Sequence, residues 1–345
     1  MHRIVVTGCG LVSPLGCGLD RVWQRLIAGH SGLRALPESL VPDVASKIAG
    51  VVPSKADDIE AGFDAGKSIS FKDERRMDRF IQFAVIAADE AIAQARWRPS
   101  TDQERERTAT VVASGMGGFT TMMQALRTVD TRGARKLSPF TVPAFLVNLA
   151  GGQVSIRHGF RGPIGAPVTA CAASILALGV AARMIRNGEA DIAVCGGAES
   201  CIDRVSLGSF AAEHALSTGF NSEPSRASRP FDTGRDGFVM SEGAAMLVIE
   251  SLDHALARGA EPLAELVGYG TTSDAYHIAA APSDGEGLQR CMRIAIRAAG
   301  IEPADIGYIN AHATSTQLGD VAELTAIRKV YGAVSYTHLT LPTKA

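Results

Sequence analysis

The sequence predicts a layered α/β fold. Short runs rich in Val, Ile and Ala alternate with longer segments of helical spacing, and glycines such as Gly115, Gly117, Gly118, Gly196 and Gly197 gather where those runs end. The chain's 345 residues exceed what a single core usually holds, so two domain-sized units are expected.

The first strand is expected over residues 3–7 and a helix near 21–28. A long helix follows over 74–96, where Met77, Phe80, Ile81, Ala84, Val85, Ala88 and Ile92 recur at three- and four-residue spacing. That stripe reads as core and not as a cofactor site. A strand over 108–114 and helices around 119–128 and 142–158 come next. The segment 171–186 carries apolar spacing through Ile175, Leu178, Ala182 and Ile185 and reads as a helix, followed by a strand over 191–196. A polar connection then runs to about residue 243, longer than such connections usually are. Within it Arg226, Arg229, Asp232, Arg235, Asp236 and Glu242 are expected to interlock as a structural charge network. After a strand over 244–250, a second pattern runs from residue 252: a helix, a strand over 264–271, a helix over 286–299, a buried strand over 306–310 and a helix over 321–331.

Composition narrows the function. Hydrophobic residues make up 46% and charged residues 20%, and a net charge of −2 exerts no overall pull toward nucleic acid or an acidic membrane, so any basic docking surface must be local. The six cysteines show neither close paired spacing nor a histidine at metal-ligand distance, so neither disulfides nor a metal site are expected. No Gly-Lys-Ser/Thr follows the glycine clusters, which argues against a nucleotide, and no cofactor is expected. The longest apolar run, near 172–184, is too short to span a bilayer, and the chain opens on a strand without a leader; a cytoplasmic location is expected.

Two segments carry candidate chemistry. In Val168-Thr169-Ala170-Cys171-Ala172-Ala173-Ser174 an apolar run meets a small-residue helix, whose unpaired N–H groups and dipole favour a thiolate. Cys171 is therefore either a nucleophile or an inert cysteine of an Ala-rich helix. In Asn310-Ala311-His312-Ala313-Thr314-Ser315-Thr316 a histidine follows a strand. His312 suits a base or a hydrogen-bond donor to a thioester carbonyl, and Thr314 and Thr316 offer hydroxyls to a polar ligand; the alternative is a helix-capping loop with a structural histidine.

Six stretches in order resemble the β-ketoacyl-acyl carrier protein synthases, most closely the elongating synthase II type. They are Ile4-Val5-Val6-Thr7-Gly8 with Gly16, Ser114-Gly115-Met116-Gly117-Gly118, the Cys171 segment, Gly196-Gly197-Ala198-Glu199, Ser228-Arg229-Pro230-Phe231-Asp232 through Phe238, and Asn310 to Asp320. The resemblance covers residues 1 to about 335. It implies a thiolase-like fold of duplicated αβαβα layers, with an N-terminal half over 1–255 that carries the nucleophile and an incomplete C-terminal half over 256–335. Family members continue into a Lys-Ser-Met-Thr-Gly-His-like motif and a Gly-Phe-Gly-Gly loop, and neither occurs here. Residues 336–345 are read as a non-native tail, and His338 within it does not take the second histidine's role.

The implied reaction is a decarboxylative Claisen condensation in fatty acid elongation, expected of a complete enzyme and not of a chain without those motifs. Cys171 and His312 take the catalytic positions. Met116 matches an acyl-pocket gate and Phe210 a pocket wall, although both also suit ordinary core. Thr314 and Thr316 match threonines of the pantetheine tunnel, and Asp320 and Glu323 match acidic positions that brace the site or a bound cation. Lys72, Arg75, Arg76, Arg135 and Lys136 sit where the family docks acyl- and malonyl-loaded acyl carrier protein; a merely solvated surface is the other reading. A homodimer is implied, with residues 164–168 as the strand that pairs across the two-fold. A polyketide or modified-lipid ketosynthase shares these motifs. A thiolase would need a second late cysteine, and a chain-length-factor-like partner would lack Cys171; a non-catalytic remnant is the other non-enzyme alternative.

Overall fold

The structure is a computed structural model that describes residues 2–277 and 280–332. The segment 336–345, with His338, lies outside the described residues. In chain order the elements are β1 (Ile4–Ser13), β2 (Gly16–Cys17), α1 (Leu19–Ile27), β3 (Leu33–Ala35), β4 (Ile48–Gly50), α2 (Phe71–Glu74), α3 (Arg79–Ala95), α4 (Asp102–Glu106), β5 (Thr108–Ala113), α5 (Phe119–Arg132), α6 (Thr141–Phe145) and α7 (Asn148–His158). They continue with β6 (Ile164–Gly165), α8 (Ala173–Arg186), β7 (Ile192–Glu199), α9 (Arg204–Ala212), β8 (Gly243–Ser251), α10 (Leu252–Ala257), β9 (Ala264–Glu265), α11 (Glu286–Ala299) and α12 (Gln317–Tyr331). Two compact, discontinuous units result. The first takes Met1–Gly32, Gly50–Asp203 and Ser241–Leu266, and the second takes Leu33–Ala49, Arg204–Met240 and the described part of Val267–Ala345.

The first unit is built on one sheet in the order β2-β1-β8-β7-β5-β6, with β9 also pairing β1. The β7, β5 and β6 neighbours run parallel, and β8 lies antiparallel to both β1 and β7. Every residue of β5 is buried, the mark of a strand covered on both faces. Phe80, Phe83, Ala84, Ala87 and Ala91 of α3 and Val154 of α7 pack on one face; Ala173, Ala177, Ala181 and Ile185 of α8 pack on the other. Two glycines in β1 let α3 come close: a Cβ on Gly8 would lie 2.1 Å from the Ala91 carbonyl oxygen, and one on Gly10 1.9 Å from that of Ala87.

The helix predicted over 74–96 begins only at Arg79, as α3, and Glu74 instead ends the short α2. Asp78 interrupts it with extended backbone and caps α3 by accepting the Phe80 N–H. The helix predicted over 142–158 also divides, because Leu146 is extended and the Phe145 carbonyl is taken by the Gly118 N–H at 3.0 Å. In the second unit, the polar connection before residue 243 contains α9. Its Ser206, Gly208 and Ser209 dilute the apolar stripe by which a helix is recognised.

Two predicted strands are not formed as expected. Only Ala264–Glu265 of the 264–271 run forms strand, with the Leu266 N–H still bonded to the Ile4 carbonyl, and Gly268 and Gly270 lie against α11, where a Cβ on Gly270 would meet the Cys291 carbonyl oxygen at 2.1 Å. The buried strand expected over 306–310 is irregular chain with Tyr308 54% exposed: these residues join no strand of the described sheets.

Candidate active site

Cys171 sits in a single 3-10 turn, Ala170–Ala172, that opens directly into α8. The chain enters this turn through Ala170 in the left-handed region (φ 47°), which turns it sharply away from the sheet. The first turn of α8 then docks on the end of β7, where a Cβ on Gly197 would approach Ser174 Oγ to 2.1 Å. Cys171 is exposed, so the inert-core reading falls. Cys195 and Cys201 are the buried thiols, and burial pushes both up to about 12. Position at a helix start and access together make Cys171 the thiol suited to nucleophilic attack.

Beside that turn runs the loop after β5. Its Gly115 lies against the turn, since a Cβ there would be 3.5 Å from the Ala170 Cα. The loop is held by Glu199 at the end of β7: Oε2 accepts the Gly115 and Met116 N–H groups at 2.8 Å each, and Oε1 accepts the Ser114 hydroxyl at 3.0 Å. Burial pushes the Glu199 carboxyl up, against the opposing pull of these hydrogen bonds. Met116 is 37% exposed. Phe210, in the second unit, is half-buried with its ring edge-to-face on Phe238 at 5.3 Å.

A basic patch lies on the same unit as Cys171. Arg75 and Lys136 line one cavity of about 410 Å³ together with Arg132, Glu74, Gln124 and Phe140. Arg76 lies 4.0 Å over the Phe140 ring. Lys72 in α2 and Arg135 in the turn after α5 are exposed. Arg132 was missed in the sequence; its place in the last turn of a helix, three residues before Arg135, was the available signal.

The second unit builds the His312 segment from α12. Glu323 accepts the His312 and Ala313 N–H groups at 2.7 Å each through its two oxygens. Asp320, only 1% exposed, accepts the Ser315 and Phe231 N–H groups and pairs with Arg235 at 3.4 Å. Arg235 also donates to the carbonyls of Thr316 and Gln317. Ala313 and Ser315 are left-handed, and the zigzag brings the Thr314 and Thr316 hydroxyls to 3.1 Å of each other. His312 is exposed, which fits a side chain offered to a ligand better than a buried structural histidine. Of the expected charge network, only Arg229 and Asp232 pair directly with each other, at 3.0 Å. Arg226 pairs with Glu223, Asp236 accepts the Thr218 and Gly219 N–H groups, and Glu242 holds Arg79 in the first unit. Alternating charge in sequence does not fix partners when other elements compete for them. Ser315, fully buried with its hydroxyl accepting the Arg229 N–H, had no role in the sequence reading.

Residues 1–255 match the family model of the β-ketoacyl synthase N-terminal domain, and residues 263–342 that of its C-terminal domain. The 3-oxoacyl-[acyl-carrier-protein] synthase 2 of Rhizobium meliloti (strain 1021) is 48% identical over 332 residues, which span 96% of this chain and 78% of that protein. A β-ketoacyl synthase from Burkholderia phymatum STM815 superposes with a TM-score of 0.87 at 32% identity, covering 96% of this chain and 79% of the other. A type II polyketide ketosynthase solved with its acyl carrier protein gives 0.85 at 32% identity, over 98% and 80% of the two chains. Among the described residues no helix is long and apolar enough to cross a membrane. With its layered α/β sheet, an exposed cysteine at a helix start and matches along nearly the whole sequence, the chain belongs to the β-ketoacyl synthase family and has its thiolase-like fold.

Proposed function

We propose that the residues of this chain belong to a β-ketoacyl-acyl carrier protein synthase of fatty acid elongation, that Cys171 is its nucleophile, and that the full condensation is the work of the complete enzyme. The observation that carries the reading is the exposed thiol in the turn that opens α8. The Cys171 thiolate attacks the carbonyl of an acyl-carrier-protein thioester, a new C–S bond forms, and the pantetheine thiol leaves. Malonyl-carrier protein then loses CO₂, and its α-carbon attacks the acyl carbonyl and returns the Cys171 thiolate. His312 donates a hydrogen bond to the thioester oxygen on which charge develops, an interaction of roughly 3 kcal/mol where it is lost. Thr314 and Thr316 receive the pantetheine arm, while Asp320 and Glu323 act by fixing the backbone around His312.

Met116 gates the acyl chain, and Phe210 walls it. Lys72, Arg75, Arg76, Arg135 and Lys136 dock the acidic carrier protein, with Arg132 beside them; convergence of Arg75, Arg132 and Lys136 on one cavity supports this. The working form is a homodimer. The chain divides into its two halves near residue 255. The kinship with polyketide ketosynthases leaves a second product class, distinguished by whether the β-keto chain is reduced between rounds.

The test is acylation by acyl-loaded carrier protein, read by mass spectrometry of the cysteine peptides. One acyl group on the Cys171 peptide is expected, and none in Cys171→Ala. Acyl transfer to another cysteine, or undiminished transfer in Cys171→Ala, would remove the nucleophile assignment.

A further inference from the structure

Glu199 ends β7, and Ser114 begins the loop after β5, its parallel neighbour; Ala113 and Gly197 stand side by side in the register. From there the carboxylate reaches across to the next strand's loop. Gly115 and Met116 each donate a backbone N–H to Oε2, and the Ser114 hydroxyl donates to Oε1. Ser114 Oγ in turn accepts the Gly117 N–H at 3.0 Å. Three consecutive residues are thus tied to one side chain, and a fourth, Gly117, is tied to it through Ser114.

We propose that Glu199 is a positioning residue for acyl-chain selection, holding the 114–117 loop so that Met116 is set beside the Cys171 turn. The inference rests on the reading of Met116 as the acyl gate. Three features favour positioning over plain stability. No ion pair with Glu199 is formed among the described residues, so the cost of its burial is opposed by hydrogen bonds alone, three of them from this loop and one from the Ser200 N–H. A carboxylate is the acceptor that serves several donors at once, with bonds roughly twice the strength of neutral ones. The loop is also confined between Glu199 and the Cys171 turn: a Cβ on Gly115 would lie 3.0 Å from Glu199 Oε2 and 3.5 Å from the Ala170 Cα and carbonyl oxygen. Slack in the hydrogen bonds therefore moves Met116 relative to the turn that bears Cys171.

The experiment uses N-alkyl chloroacetamides from ethyl to dodecyl, with the labelling rate of Cys171 read by peptide mass spectrometry. The thiolate sulfur displaces chloride, so no second substrate or carrier protein is needed. The native chain is expected to discriminate among alkyl lengths. In Glu199→Ala the long-to-short rate ratio shifts about tenfold, equivalent to about 1.4 kcal/mol, while the ethyl probe reacts at its native rate. Glu199→Gln restores the native profile, because its carbonyl oxygen can take both N–H groups and its amide can donate to Ser114 Oγ. A purely structural role would instead lower the melting temperature and leave the length profile alone. An unchanged profile in Glu199→Ala overturns the proposal, as does a Glu199→Gln profile that matches Glu199→Ala. Should Glu199→Ala not fold, Ser114→Ala carries the test, and its unchanged profile is equally fatal. Met116→Trp separates the two readings. If it shifts the profile while Glu199→Ala does not, the positioning role alone fails; if it shifts nothing, the gate itself is wrong.

Discussion

Glu250 shows how one residue couples this fold to pH. Its side chain is fully buried, and burial alone would push the carboxyl up. Hydrogen bonds from Arg258, His254 and Thr7 outweigh that and hold it down at about 2. A carboxyl depressed in the folded state adds stability above its unfolded value near 4.3 and loses it as pH falls toward 2. The contribution is roughly 3 kcal/mol at neutral pH. Urea midpoints are therefore expected to be flat from about pH 8 to 5 with respect to this group and to fall steeply below about pH 4. Glu250→Gln should destabilise by about 3–5 kcal/mol at pH 7, because the half-buried Arg258 is left without a counter-charge, and should remove most of this acid-side slope. Equal acid slopes in the native chain and the variant would assign the loss to other carboxylates.

At the scale of elements, the loop before α12 is built by that helix's own acidic residues. Asp320 and Glu323 lie three residues apart on one face and accept N–H groups from His312, Ala313 and Ser315, so the helix fixes the loop that precedes it. Asp320→Ala would leave Arg235, whose side chain is 14% exposed, without its carboxylate, and about 3–5 kcal/mol should be lost in a urea melt. A loss under about 1 kcal/mol would mean that the carbonyls of Thr316 and Gln317 suffice for Arg235. Why some of this was legible in sequence and some was not follows from range. The helix over 286–299 appears with the predicted bounds, because Leu288, Met292 and Ile296 repeat along one face within a single segment. The helix start beside Cys171 could be read for the same reason, since an apolar run and its following helix are neighbours in the chain. The strand expected over 306–310 failed because pairing depends on a partner remote in sequence. Glu199 went without a role because its contacts lie 83 to 85 residues away, where no local pattern reaches.

For the whole molecule, the open question is what covers the β6 edge. β6 is the last strand of the sheet and spans only Ile164–Gly165, bonded to β5 on one side. Ile164 is 53% exposed and Val168 55%, while Ile156 of α7 and Ile175 of α8 are 74% and 56% exposed. An unpaired edge carrying bare β-branched side chains invites a second strand, and a second copy of this chain supplies an identical one. The homodimer proposed above would use this edge, each β6 extending the partner's sheet. Ile164→Lys places a charge at the centre of that contact while leaving the β5 pairing, which runs through the backbone, intact. Sedimentation equilibrium of the native chain should then give twice the 36.1 kDa protomer mass, and Ile164→Lys should shift it toward the protomer. If Ile164→Lys stays dimeric with an unchanged dissociation constant, the two-fold lies elsewhere on the molecule. In that case the exposed Trp23, Leu26 and Ile27 of α1 form the next apolar surface to probe.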